Sequence, residues 1–273
     1  MIYELEEKDF ELVEPLLKGN ARVPEANSII KLNNPSRIFV DNVRVPQTAL
    51  IWNKGLEGFL IAGDVNNSEF VPYLNQFIDE EIIPSARKAG INFFEISGLH
   101  YEWNPVLEET FKHRKLDKCT QLVYTWPASV KDIPGDYTNE GKVIKVTHDF
   151  LMNTKINNIE FLVSEVELYW GSIKTFLEKG GLCYCIIHEE EIASICYSAF
   201  VHRETQVIGV VTEEKHRGMG YAFQGAHALI NECLQINNVP YWDCTEENTA
   251  SKRLAEKLGF EKVSKYFCHY FFF

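Results

Sequence analysis

Residues 213–222 read EEKHRGMGYA and stand between a β-rich run, TQVIGVVT (205–212), and a helical pattern with Ala222, Ala226, Leu229, Ile230 and Cys233 on one face. A strand that feeds such a stretch into a helix gathers backbone N–H groups at the helix N-terminus. There the unsatisfied donors and the helix dipole favour a phosphate or pyrophosphate. Gly218 and Gly220 let the backbone approach a ligand closely and take φ > 0 at low cost, and Arg217 adds positive charge. A tight βα turn with no ligand is the competing explanation of the two glycines. Two known phosphate loops do not fit: the stretch lacks a Gly-Lys-Ser/Thr end, and it follows the third strand of its unit instead of opening a βαβ dinucleotide fold.

The elements around the loop parse as an α/β unit. GLCYCIIHEE (181–190) and IASICYSAFVH (192–202) are β-rich runs that precede TQVIGVVT. After the helix come a strand at PYWDCT (240–245), a helix at TASKRLAEKL (249–258) stopped by Gly259, and an aromatic strand at KYFCHYFFF (265–273). The first half repeats this order: RIFVDN, QTALIWN and GFLIAGD, a helix from about Glu69 to Lys88, then INFFEIS, NPVLEETFKHR and KCTQLVYTW. Gly58 and Thr205, Leu107 and Leu254, and Trp126 and Phe273 are each 147 residues apart, and Ile91 and Val239 are 148 apart. An offset that holds to one residue across four elements implies two copies of one unit, although the side chains agree weakly. The expected division is 1–127, a Pro-, Gly- and polar-rich linker at 128–142, and 143–273. At the loop the copies differ, because Arg217, Gly218, Met219 and Gly220 fall opposite Phe70, Val71, Pro72 and Tyr73, and a proline offers no N–H.

With 45% hydrophobic residues among 273, the chain has material for a packed core. A net charge of −12 argues against a nucleic-acid surface and favours cationic small molecules. The opening MIYELEEKDFELVEPLLKG reads as an acidic amphipathic helix and not as a signal peptide, and no apolar stretch reaches the ~20 residues of a spanning helix, so a cytoplasmic location without membrane contact is expected. The seven cysteines lack Cys-x-x-Cys spacing, so buried thiols are expected, with no metal and no disulfide framework.

Taken together, VVTEEKHRGMGYA and PYWDCTEENTASKRLAEKLGF resemble the GNAT superfamily of acetyl-CoA-dependent N-acetyltransferases, whose pyrophosphate loop follows Gln/Arg-x-x-Gly-x-Gly/Ala. Lys215 takes the first place of that pattern, Gly218 the fourth and Gly220 the sixth. Within the superfamily the chain is most similar to the zwittermicin A resistance type, with its Trp-Asp-Cys strand, an Asn, and a Ser before Leu-Ala-Glu-Lys-Leu-Gly-Phe. This likeness covers roughly residues 145 to 273, while the first half resembles a degenerate GNAT unit through element order. The resemblance implies tandem α+β units, each a mixed, mostly antiparallel twisted sheet flanked by helices. It implies that TQVIGVVT splays from PYWDCT, with the thioester arm in the gap. Backbone groups near Val211 and Thr212 would hold the pantetheine arm and polarise the acetyl carbonyl. His216, Arg217, Gly218, Met219, Gly220, Tyr221 and Ala222 would hold the pyrophosphate, and Asn248 and Ser251 would reach the pantetheine. Asn248 or Thr249 as a mere helix cap is the alternative.

Transfer to a primary amine of a small molecule, an amino-containing metabolite or antibiotic, follows from the resemblance. An alkylammonium has a pKa near ~10 and must lose a proton before it attacks. Glu213 is the candidate base, with Glu214 as alternative. The family's acid, a tyrosine five places before the Gly-Phe phenylalanine, is replaced by Ala255, leaving Tyr266, Tyr270, Cys244 or water open. Trp170, Tyr197, Phe200 and Trp242 either line an acceptor pocket or pack the core. The first copy would help to shape the acceptor cleft, and a homodimer is left open. The rivals are a non-catalytic acyl-CoA sensor and a transferase that uses charged tRNA, the latter opposed by the acidic charge.

Overall fold

The computed structural model describes residues 1–18, 23–55, 57–130, 133 and 141–273. Most of the expected linker lies outside the described residues. By compactness the chain forms two units, Met1–Gln121 with Lys265–Phe273, and Leu122–Ser264.

The first unit opens with β1 (Tyr3–Glu4), and a 3₁₀ segment then runs from Glu7 to Leu17 in place of the expected amphipathic helix. Pro15 inside it removes a helical N–H, while Phe10, Val13 and Leu17 still turn to the core. Then follow α1 (Val23–Ile30), β2 (Ser36–Val40), β3 (Thr48–Asn53), β4 (Gly58–Gly63), α2 (Val71–Phe77), α3 (Ile83–Lys88), β5 (Phe93–Gly98), α4 (Trp103–Thr110) and β6 (Asp117–Thr125). The long helix read from 69 to 88 is broken by a π turn at Ile78–Ile82, where Pro84 cannot donate to the carbonyl one turn back. Both faces of β3 are buried. Ala49 and Ile51 pack with Phe10, Val13 and Ile29 on one face, and Leu50 and Trp52 pack with Phe59, Leu74 and Trp103 on the other.

The second unit contains β7 (Lys142–Lys145), α5 (His148–Asn153), α6 (Ile159–Trp170), α7 (Ile173–Glu178), β8 (Cys183–His188), β9 (Glu191–His202), β10 (Thr205–Thr212), α8 (Tyr221–Gln235), β11 (Val239–Thr245) and α9 (Thr249–Leu258), followed by β12 (Glu261–Phe272). Its strand order is β6-β11-β10-β9-β8-β7, that of the first unit is β1-β2-β3-β4-β5-β12, and β4–β5 and β10–β11 pair in parallel within a mixed, mostly antiparallel arrangement. Helix α9 ends where expected, with Gly259 at φ 104°.

The two terminal strands each pack in the core of the unit formed mostly by the other half of the chain. Phe271 of β12 lies in the first unit's core, opposite Phe94 of β5, whereas Leu122, Tyr124 and Trp126 lie in the second unit's core. The aromatic strand that closes each half in sequence therefore completes the other half in space. Among the described residues no helix is long and apolar enough to cross a membrane, and no group of three or more acidic, His or Cys side chains could hold a metal. None of the seven cysteines forms a disulfide, and all but Cys119 are buried.

Candidate active site

Strand β10 stays paired with β9 from Thr205 to Thr212, but its parallel pairing with β11 stops at Val207–Tyr241. Beyond that point the two parallel strands part. The glycine loop follows the parted end, so fork and loop form one continuous feature of the second unit.

The edge of β10 facing the fork can be read from hydrogen bonds. Glu213 N–H donates to the Ala193 carbonyl at 3.0 Å, which turns position 213 toward β9. Amide direction alternates along a strand, so Gly209 and Val211 also face β9, and Val210 and Thr212 direct their N–H and C=O groups into the fork. The hydroxyl of Ser194 further donates to the Val211 carbonyl at 3.0 Å, so of the expected pair Thr212 is the one whose backbone is turned to the gap.

A short 3₁₀ turn, Glu214–His216, connects the strand to the loop. It uses the amides of His216 and Arg217 internally, to the carbonyls of Glu213 and Glu214. Gly218 and Gly220 follow at φ 80° and 79°, and the first bond of α8 runs from Gln224 N–H to Gly220 C=O. The amides of Tyr221, Ala222 and Phe223 thus precede the helical ladder and are donors for an anion. Arg217 is exposed and makes no ion pair among the described residues, whereas Lys215 is tied to Glu191 of β9. His216 turns inward, 8% exposed, its ring 5.6 Å from His188 and 6.1 Å from Tyr221, so its imidazole supports the loop from below.

A model of the GNAT acetyltransferase family matches residues 14–269. The chain belongs to the GNAT acetyltransferase family. Uncharacterized N-acetyltransferase YdfB of Bacillus subtilis (strain 168) is 27% identical over 249 residues, covering 89% of this chain and 88% of that protein. A GCN5-related N-acetyltransferase-like protein from Streptococcus suis 89/1591 has a TM-score of 0.63 and 21% identity, over 96% of this chain and 98% of its own. The tandem GNAT protein from the clavulanic acid biosynthesis pathway gives 0.60 and 10%, over 99% and 98%. At these identities the two solved structures speak for the fold. GNAT proteins generally bind acetyl-CoA, and the residues here suit it: a gap edged by outward amides, two glycines at positive φ, unladdered helix amides and an unpaired arginine.

Across the fork, Asn248 caps α9 by accepting from Ser251 N–H at 3.0 Å, and the Ser251 hydroxyl accepts from Trp242 Nε1–H at 2.9 Å. Capping therefore accounts for the Asn248 carbonyl oxygen, and Asn248→Ala is expected to cost about 1 kcal/mol in chemical denaturation. Ala255, at the place of the family's tyrosine, is fully buried and packs in one core cluster with Trp242, Cys244, Leu258 and Phe260. Burial raises the Cys244 thiol's pKa, which disfavours the thiolate a covalent route would need. Tyr266 and Tyr270 fall in the stretch that packs with the first unit.

The remaining aromatics are core by exposure: Trp170, Tyr197, Phe200 and Trp242 are each at most 3% exposed. Tyr197 is a special case, because a side chain at Gly209 would meet its ring carbon Cζ at 3.0 Å. The hydroxyl-bearing end of Tyr197 thus covers β10 where it has just left β11. Glu213 shares that sheet face by the two-residue alternation of Cβ directions and is partly exposed. Sequence reasoning passed over α6, although Leu162, Val166 and Trp170 carry the helical period and Gly171 with Ser172 marks the break before α7.

Proposed function

We propose that this chain transfers the acetyl group of acetyl-CoA to a primary amine on a small molecule by direct attack on the thioester. The observation that carries the reading is the fork: β10 leaves β11 at Val207 just before a glycine loop at a helix N-terminus. Acetyl-CoA supplies an acyl group activated as a thioester. The Val210 and Thr212 amides line its arm and polarise the carbonyl, with the neighbouring backbone of Val211 holding the strand in place. Amides from Gly218 through Ala222, with the Arg217 charge, receive the diphosphate, and Asn248 and Ser251 border the gap from α9. His216 and Tyr221 brace the loop with their rings. Glu213 is the carboxylate at the strand's end that attracts the ammonium and takes its proton. The chain's charge of −12 suits a cationic acceptor and opposes tRNA.

We read the chain as tandem GNAT units whose first copy has lost the loop, with a 128–142 linker between 1–127 and 143–273; the constant offset and the paired element orders support this. The Trp242–Asp243–Cys244 strand and the α9 sequence are the grounds for placing it near zwittermicin A resistance proteins and for an amino-containing antibiotic or metabolite as acceptor. The buried Ala255 favours one other reading, an acyl-CoA sensor without turnover. Calorimetric titration with acetyl-CoA, followed by thiol release over a panel of primary amines, separates the two: binding with amine-dependent thiol release supports the transferase, binding with hydrolysis alone supports the sensor, and no binding sinks both.

A further inference from the structure

Strand β9 carries a hydroxyl where its neighbours are apolar. Ile192, Ala193, Ser194, Ile195 and Cys196 are all fully buried, and a buried hydroxyl costs free energy unless it is bonded. Ser194 is bonded twice, to the Val211 carbonyl at 3.0 Å and to the Thr212 hydroxyl at 2.8 Å. A serine has one proton to donate and the carbonyl can only accept, so in the second contact Thr212 is the donor. A bulge sets up this meeting. Val207 pairs with Phe200 while Ile208 pairs with Ser198, so β9 holds an extra residue at Ala199, and without it Thr212 would face Ile195. Val211 already faces Ile195 across the ladder, which makes the serine a second donor on its carbonyl.

The Val211 carbonyl and the Thr212 N–H belong to one planar trans peptide unit and point in opposite directions. Fixing the carbonyl toward β9 therefore fixes the aim of the Thr212 amide, which is into the fork. Hydrogen bonds in a chain polarise one another, so donation to the carbonyl also makes the amide a stronger donor. We propose that Ser194 is a positioning residue for the acetyl carbonyl: through the chain from Thr212 hydroxyl to Ser194 hydroxyl to Val211 carbonyl, it aims and strengthens the Thr212 amide that receives the thioester oxygen. This rests on the placing of acetyl-CoA in the fork given above. Ser194 touches neither substrate and leaves the acceptor to Glu213. A Ser–Thr pair across two strands also stabilises a sheet in its own right, and the first unit supplies the contrast. By the 147-residue offset Asp64 falls opposite Val211, and the Thr48 hydroxyl donates to its carbonyl at 2.9 Å. There β4 ends at Gly63, close to its last β5 partnership at Ile61–Gly98, whereas β10 runs to Thr212 from its last β11 partnership at Val207–Tyr241. The first unit thus keeps the bond without the long fork.

The test reads the thioester carbonyl itself and needs no acceptor. Infrared difference spectra of carbonyl-labelled acetyl-CoA bound to the full chain are expected to show the carbonyl stretch below its free value, because a hydrogen bond to the oxygen weakens the C=O bond. Ser194→Ala is expected to return about 10–30% of that downshift, with acetyl-CoA affinity by calorimetry within about twofold of wild type. Thr48→Val, which removes the corresponding bond of the first unit, is expected to leave the stretch in place. Should Ser194→Ala fail to fold, Thr212→Val decides: it removes the outer link from a part-exposed position and is expected to move the stretch the same way by less. An unmoved stretch in the deciding variant overturns the proposal, and so does an equal movement in Thr48→Val, the mark of general loosening. A wild-type stretch at the free value overturns it too, since no amide then polarises the carbonyl. Absence of acetyl-CoA binding in the wild type sinks the acetyltransferase reading itself.

Discussion

Gly218→Val is expected to weaken acetyl-CoA binding by about 5- to 150-fold, Gly218→Ala by less, and Gly218→Asn least. The residue stands at φ 80°, and a Cβ placed there would meet nothing within 4 Å. Any loss is therefore conformational and not a clash. Holding a non-glycine residue at such a φ costs about 1–3 kcal/mol, most for a β-branched residue, while Asn visits this region readily. That cost alone does not change affinity, because it is present with or without ligand. Affinity changes because the exposed loop can escape the strain by turning its amides elsewhere, and binding must then restore the strained form. The recovered strain appears as lost binding energy, and 1.4 kcal/mol corresponds to about tenfold. Gly220, at φ 79° and capping α8, obeys the same logic with a further penalty at the helix start. Calorimetric titration of the three Gly218 variants measures the ranking. Equal affinities across the series would show that the loop's amides do not hold the diphosphate.

The loop and α9 were legible in the sequence because their signals are local. Positive φ calls for glycine, and Gly218, Gly220 and Gly259 all have it. Asn248 three residues before Ser251 spells a cap, and its side chain caps. The fork is a different matter. TQVIGVVT is evenly apolar, and nothing in a period-two pattern says which neighbour a strand will leave; the family resemblance supplied that expectation. The physical cause lies in tertiary pairing, where β11 ends its register with Tyr241 while β10 keeps β9. The Ala199 bulge was equally hidden, since IASICYSAFVH reads as one continuous apolar strand. Helix α6 had a readable end, with Gly171 at φ 69° closing it and Ser172 capping α7. The exchanged terminal strands were beyond reach for a simple reason: KCTQLVYTW and KYFCHYFFF carry the same aromatic, alternating signature, so either fits either core.

That exchange leads to the second large effect. Phe271→Ala is expected to destabilise the chain by about 3–5 kcal/mol, the cost of emptying a closely packed aromatic site. Phe271 is 1% exposed, with its ring 5.2 Å from Phe94 and 5.6 Å from Phe111, and the Arg114 guanidinium carbon lies 4.4 Å from its centroid. The next residue provides the control. Phe272 is 68% exposed, as the alternation along β12 requires, and Phe272→Ala is expected to stay within about 0.5 kcal/mol of wild type. Both substitutions remove the same side chain from the same strand and alter its β propensity equally, so the difference between them isolates burial against β5 from the tendency to form a strand at all. Urea denaturation of the pair gives that difference directly from the midpoints at a common slope. A large Phe271 effect with a silent Phe272 is the signature of β12 seated in the first unit with the register His269 to Ile96 and Phe271 to Phe94. A silent Phe271 with a large Phe272 effect would mean that this register is wrong, because a slip by one residue exchanges which of the two phenylalanines is buried.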